Sequence, residues 1–90
     1  MTVEILKKFE KDVDKINDKE VLQDIIRIID ELKTSLNLSS LKKIKKMEGF
    51  KDFYRIKLNY YRLGIQYFSE ENRVVLVRFL HRKDIYKYFP

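Results

Sequence analysis

Between Phe53 and Leu80 the chain alternates along three consecutive runs, Phe53 to Leu58, Tyr61 to Phe68 and Arg73 to Leu80. Successive side chains of an extended strand point to opposite faces, so a period of two predicts strands. In the first run Tyr54, Ile56 and Leu58 point one way, Arg55 and Lys57 the other. In the second, Tyr61, Leu63, Ile65 and Tyr67 oppose Arg62, Gly64, Gln66 and Phe68. In the third, Val75, Val77 and Phe79 are predicted inward, with Val74, Leu76, Arg78, Leu80 and then Arg82 on the other side. Matching parity would bring Arg78 and Arg82 onto the surface that carries Arg55, Lys57 and Arg62.

Asn59-Tyr60, read as a two-residue turn, sets the register of the first hairpin. Leu58 then lies across from Tyr61, Lys57 across from Arg62, and Arg55 across from Gly64, which leaves open space above the sheet. Like charges directly opposite one another destabilise a sheet by roughly a few tenths of a kcal/mol. A single such residue is best read as a solvated side chain splaying away. Three cations and a glycine gap on one face point instead to an anion, phosphate first. Tyr60 is an awkward residue for a positive φ, and a wider loop would displace this register by one.

The residues before the sheet read as helices. Thr2 to Leu6 is either a short opening strand or the start of the helix that follows. Leu6, Phe9, Val13 and Ile16 recur at three and four, predicting an amphipathic helix over Lys7 to Ile16. Asn17-Asp18-Lys19-Glu20 has the form of a capping box with Asn17 as N-cap. The second helix, Asp18 to Ser35, is expected to bury Val21, Leu22, Ile25, Ile28, Ile29, Leu32 and Leu36, with Ile26 widening the stripe. This stripe reads as core. The two helices form a hairpin lying on one face of a small antiparallel sheet of three to four strands, an α+β arrangement.

Asn37 to Ser40 is a turn. Lys42, Lys43, Lys45 and Lys46 follow, interleaved with Leu41, Ile44 and Met47. These lysines either solvate a helical turn or extended segment or form a phosphate-contacting, RNA-binding strip beside the sheet. Their adjacency to the basic strand face favours the strip. Glu48-Gly49 turns the chain into the sheet.

Composition narrows the possibilities. Ninety residues with 44% apolar content suit one globular domain over 1–90. The absence of cysteine excludes disulfide and thiolate chemistry and fits a cytoplasmic protein. No apolar run approaches the roughly 20 residues of a membrane span, and the first residues lack the hydrophobic block of a signal peptide. The net charge of +6 is uneven: residues 1–40 carry seven Lys/Arg against nine Asp/Glu, residues 41–90 thirteen against five. A scaffold joined to a polyanion-facing surface follows, with nucleic acid the commonest partner and an acidic protein the next.

The chain closes on His81-Arg82-Lys83-Asp84-Ile85-Tyr86-Lys87-Tyr88-Phe89-Pro90. Arg82 and Tyr86, four apart, would share one side of a short terminal helix. Tyr88 and Phe89 read as a hydrophobic anchor, and His81 as a surface or partly packed residue, since no second ligand pair stands at metal spacing. Arg78 and Lys83 extend the candidate RNA-binding set.

Leu41-Lys42-Lys43-Ile44, Gly49-Phe50, Tyr54-Arg55-Ile56-Lys57-Leu58, Tyr61-Arg62-Leu63 and His81-Arg82-Lys83-Asp84-Ile85-Tyr86 together resemble the RelE branch of the RelE/ParE toxin superfamily. The likeness covers the layout of the whole chain and is specific from about Leu41 onwards. It implies a toxin of a type II toxin–antitoxin system that cleaves mRNA in the ribosomal A site with no metal or cofactor, held in check by a cognate antitoxin protein. Carried over by position, Arg55, Lys57, Arg62, Arg82 and Tyr86 become the catalytic set. Two features depart from the family pattern: an extra Lys-Met-Glu before Gly49, and Asn59-Tyr60 in place of a Gly-Asp type turn.

The chemistry agrees with those roles. Attack by a ribose 2′-hydroxyl on the neighbouring phosphate needs a proton acceptor, charge stabilisation on the phosphorane and a donor for the leaving 5′-oxygen. Lys57 is assigned as base, its crowding by cations favouring the neutral amine. Arg62 and Arg82 stabilise the phosphorane and Arg55 positions the phosphate. Tyr86 is a base partner or a stacking platform, and either His81 or Arg82 is the proton donor. A ParE-like gyrase inhibitor and a non-catalytic RNA- or ribosome-binding module are the alternatives.

Overall fold

The computed structural model describes residues 1–90. In chain order it contains β1 (Thr2–Ile5), α1 (Lys7–Asp14), α2 (Lys19–Thr34), β2 (Ile44–Lys46), β3 (Phe53–Leu58), β4 (Tyr61–Phe68), β5 (Arg73–His81) and α3 (Ile85–Tyr88). One five-stranded sheet runs β1-β5-β4-β3-β2. It has more strands than sequence pattern indicates, and it is mixed, because β1 pairs in parallel with β5 while the other neighbours are antiparallel. Both additions are edge strands of three or four residues, too short to display a period. The lysine segment is therefore strand where it pairs: Lys45 lies opposite Arg55 and Lys46 opposite Tyr54.

The first hairpin keeps the expected register. Leu58 pairs with Tyr61, Lys57 with Arg62 and Arg55 with Gly64. The turn strain falls on Asn59, whose φ is +54, a region that asparagine tolerates better than most side chains. Tyr60 does not need a positive φ, so the loop stays at two residues.

Both helices cover one sheet face. Val21, Ile25, Ile28 and Leu32 of α2 and Phe9 of α1 pack with Ile56, Leu63, Ile65, Val74, Leu76 and Phe79 of the sheet. Burying each such side chain is worth about 1.5–3 kcal/mol. The buried stripe of α2 is narrower than expected, for Ile26 is 60% exposed and Leu36 86% exposed. Ile26 follows Ile25 by one residue and is thereby rotated off the sheet. Leu36 lies beyond the helix, which stops where Ser35 turns extended. The N-cap of α2 is Asp18 rather than Asn17, its carboxylate accepting from the Glu20 N–H at 2.9 Å.

The parity of β5 is the expected one from Phe79 onwards and differs before it. Gly64 is opposite Arg78 and Ile65 opposite Leu76, which leaves Val77 as a bulge. A bulge inserts one unpaired residue and shifts alternation beyond it. Val74, Leu76 and Phe79 accordingly face the helices, while Val77 and Leu80 join Met47, Phe53, Ile85 and Phe89 on the other face. The space above Gly64 is not open either: a Cβ built there would lie 2.7–2.8 Å from atoms of the Phe89 ring. Phe89 is the predicted anchor, whereas Tyr88 is 60% exposed.

Candidate functional site: a cluster of unpaired arginines

The chain has six arginines, and their partners divide them in two. Arg27 pairs with Asp24, Arg73 with Glu4 and Glu71, and Arg78 with Asp12. Arg55, Arg62 and Arg82 have no carboxylate partner within 4 Å. Instead they surround one another on the sheet face away from α1 and α2. Arg55 and Arg62 project there from β3 and β4 because the residues that follow them, Ile56 and Leu63, face the core. Arg82 arrives at the end of β5, its N–H donating to the Tyr60 carbonyl at 2.7 Å.

Specific contacts hold the group. Arg55 Nε donates to the Tyr86 hydroxyl at 3.2 Å. Arg62 donates to the Asn59 and Tyr61 carbonyls at 2.8 and 2.9 Å, so the hairpin turn fixes its guanidinium. Arg82 lies 5.5 Å from the centroid of the Tyr60 ring, a cation–π separation. The electrostatics carry the same signature. Burial first, then the adjacent Arg55 cation, hold Arg62 below the ordinary arginine range; Tyr86 opposes this and Arg82 adds to it. Arg78 moves the other way, raised first by its hydrogen bonds to Asp12. Cations gathered without carboxylates leave positive potential for an external anion to neutralise. Their planar forks suit phosphate oxygens.

Comparison with known proteins places the chain. The sequence model of the family described as the ParE toxin of the type II toxin–antitoxin system parDE matches residues 3–86. The chain belongs to this family, within the RelE/ParE superfamily. It is 44% identical over 64 residues to Toxin RelE3 of Methanocaldococcus jannaschii, covering 70% of each chain. A chain of the RelB–RelE antitoxin–toxin complex from Methanococcus jannaschii superposes with a TM-score of 0.80 at 34% identity, covering 97% of this chain and 99% of that one. The archaeal RelE–RelB complex from Pyrococcus horikoshii shares the fold, with a TM-score of 0.73 at 20% identity over 90% of this chain and 93% of that one.

In this RelE-like toxin the remaining site residues fall at different distances from the cluster. Lys57 stands across the ladder from Arg62 and is exposed, and Lys45 lies opposite Arg55 on the same face. Lys46 has the parity of Tyr54 and so belongs to the helix side of the edge. Lys42, Lys43 and Lys57 line a cleft of about 420 Å³ against Asp24, Arg27 and Glu31 of α2, and the Lys43 carbonyl accepts from Arg55 at 3.4 Å. Arg78 does not join the cations: its guanidinium reaches α1, where it donates to Asp12 through Nε and a terminal nitrogen at 2.8 and 3.0 Å. His81 shares the parity of Phe79 and lies edge-on to Tyr61 with centroids 5.8 Å apart. Its Nδ1 accepts from the Lys83 N–H at 3.2 Å, which leaves only Nε2 to donate a proton. Lys83 is exposed in the turn before α3. Sequence reasoning missed Asp12, although an acid within the apolar stripe of Phe9, Val13 and Ile16 was a visible signal.

Proposed function

We propose that this toxin is an endoribonuclease that cuts mRNA in the A site of the translating ribosome and thereby stops translation in the cytoplasm. The observation that carries this reading is the convergence of Arg55, Arg62 and Arg82, none with a carboxylate, around a tyrosine hydroxyl held by Arg55.

The step balances with groups of the chain and of the RNA held in the ribosomal A site. The ribose 2′-oxygen forms a bond to the adjacent phosphorus while the bond to the 5′-oxygen breaks, giving a 2′,3′-cyclic phosphate and a 5′-hydroxyl. Lys57 takes the 2′-hydroxyl proton. Arg62 and Arg82 stabilise the negative charge that accumulates on the phosphorane, and Arg55 holds the phosphate while orienting Tyr86. Arg82 is the better placed donor to the leaving oxygen, because His81 belongs to the opposite face of β5. Fixed donors aimed at developing charge each contribute roughly 10²–10³-fold in rate. Lys45 continues the same face and adds sequence-independent affinity. The relatives found as RelB–RelE complexes support a cognate antitoxin as the physiological partner.

Gyrase inhibition is the second reading, favoured by the ParE description of the family. Purified toxin added to translating ribosomes, and separately to gyrase with supercoiled DNA, tests both. The expected result is site-specific mRNA cuts with 2′,3′-cyclic phosphate ends that vanish with Arg82→Ala. Trapped DNA breaks without mRNA cuts would replace this reading with the second, and neither product would leave RNA binding alone.

A further inference from the structure

Gly64 and Phe89 fit as socket and plug, and we propose that this contact positions Tyr86. The inference rests on the reading of Tyr86 as a member of the reacting cluster. Phe89 is 3% exposed, although it follows the last turn of α3. Its ring stands edge to face on Phe53 with centroids 5.6 Å apart and shares its pocket with Met47 and Ile85. A Cβ at Gly64 would approach three ring atoms to 2.7–2.8 Å, well inside the roughly 3.5 Å at which carbon atoms pack. Gly64 is not among the residues of positive φ, where Gly49 alone of the glycines stands. The site therefore uses its missing side chain and not its backbone freedom. Glycine inside a strand marks a place where another group approaches closely, and here that group is the Phe89 ring.

The device acts on Tyr86 because α3 cannot orient itself. It has four residues, and its N-cap Asp84 makes no side-chain cap bond. A helix of one turn has no independent stability. Ile85, fully buried, and Phe89 anchor its two ends. Tyr86, between them, is 62% exposed and has one side-chain hydrogen bond, the one from Arg55. Phe89 and Gly64 are positioning residues: they touch no substrate but set where the Tyr86 hydroxyl stands against Arg55.

The test uses the full chain with ring-labelled tyrosines, the Tyr86 signal being assigned with Tyr86→Phe. In Phe89→Ala and in Gly64→Ala, the Tyr86 resonance should move to the position of free tyrosine, and amide exchange at residues 86–89 should quicken at least ten-fold. Tyr54 and Tyr67, which pack on the helix face, should stay where they are; a general loss of structure would move them too. Gly64→Ala/Phe89→Leu, in which a smaller plug accommodates the new methyl, should return Tyr86 toward its original position. In ribosome-dependent cleavage, Phe89→Ala should lower kcat at least ten-fold in the native background and less than two-fold on top of Tyr86→Phe, with KM little changed. An unmoved Tyr86 resonance in Gly64→Ala, or equal effects of Phe89→Ala in the two backgrounds, would overturn the proposal. If Phe89→Ala does not fold, Phe89→Leu takes its place in every comparison. A native toxin that cuts no mRNA would sink the reading of the cluster, while the resonance arm still decides whether the socket orients Tyr86.

Discussion

Replacing Asp12 by alanine tests the division of the arginines into paired and unpaired ones. The Asp12 carboxylate is 7% exposed and accepts three N–H groups: two from Arg78 at 2.8 and 3.0 Å, and the Phe79 amide at 2.9 Å. That amide lies on the edge of β5 beyond the point where β1 stops pairing, so the carboxylate stands in for a missing strand. Truncation leaves a buried amide and a guanidinium, itself 22% exposed, without partners. Breaking a buried pair costs about 3–5 kcal/mol; because Arg78 still reaches some water, roughly 2–4 kcal/mol is expected here. Arg78→Ala leaves the carboxylate with one donor and should cost about 1.5–3 kcal/mol. The double variant keeps only the orphan amide, so the pair should show a coupling of about 1–3 kcal/mol. Urea unfolding followed by circular dichroism measures all four corners of the cycle. Single losses that add to within about 0.5 kcal/mol, or an Asp12→Ala chain that unfolds at the native midpoint, would refute the assignment of this pair to stability. The complementary half is functional. Arg78→Ala, assayed where it is still folded, should bind single-stranded RNA as the native chain does, because Arg78 is turned away from the cluster.

Removing Arg55 or Arg82 should leave stability within about 0.5 kcal/mol of native. Removing Arg62, which holds two turn carbonyls, should cost about 0.5–1.5 kcal/mol. Each removal should lower ribosome-dependent cleavage roughly 10²–10³-fold. Affinity for single-stranded RNA should fall with salt, and each cation removed from the cluster should lessen the logarithmic slope by about 0.7; a slope unchanged in Arg62→Ala would place the RNA elsewhere. Leu32→Ala, at a site with no exposure, should cost about 2–5 kcal/mol. Ile26→Ala, on the exposed side of the same helix, should stay within about 0.5 kcal/mol by the same unfolding assay.

Local order was legible and non-local order was not. The hairpin of β3 and β4 followed from alternation and turn length alone, and with it the placing of Lys57 against Arg62 and Arg55 against Gly64. The helices followed from their apolar spacing. Edge strands β1 and β2 were ambiguous because three or four residues cannot display a period. The parity of β5 was hidden by its composition: Val74, Val75, Leu76 and Val77 are all apolar, so no alternation marks where the register changes.

The bulge and the glycine are best understood together. Gly64 and Arg78 are directly opposite in the β4–β5 ladder. Were Val77 paired in its turn, alternation continued from Leu76, which faces the helices opposite Ile65, would set Arg78 opposite Leu63 in the core. The bulge sets it opposite Gly64 instead, across from the residue whose gap the Phe89 ring fills. An arginine in the core would bury its guanidinium among apolar side chains without a partner. The extra residue Val77 removes the conflict. It joins the apolar group around Phe89 and keeps Arg78 out of the core, so that its guanidinium reaches Asp12 of α1 and is neutralised. Asp12 thus separates an arginine that holds the fold from those without a carboxylate partner. The presence or lack of a carboxylate gives the two kinds of arginine opposite electrostatic environments: hydrogen bonds to Asp12 raise the pKa of Arg78, whereas burial first and then the Arg55 cation lower that of Arg62.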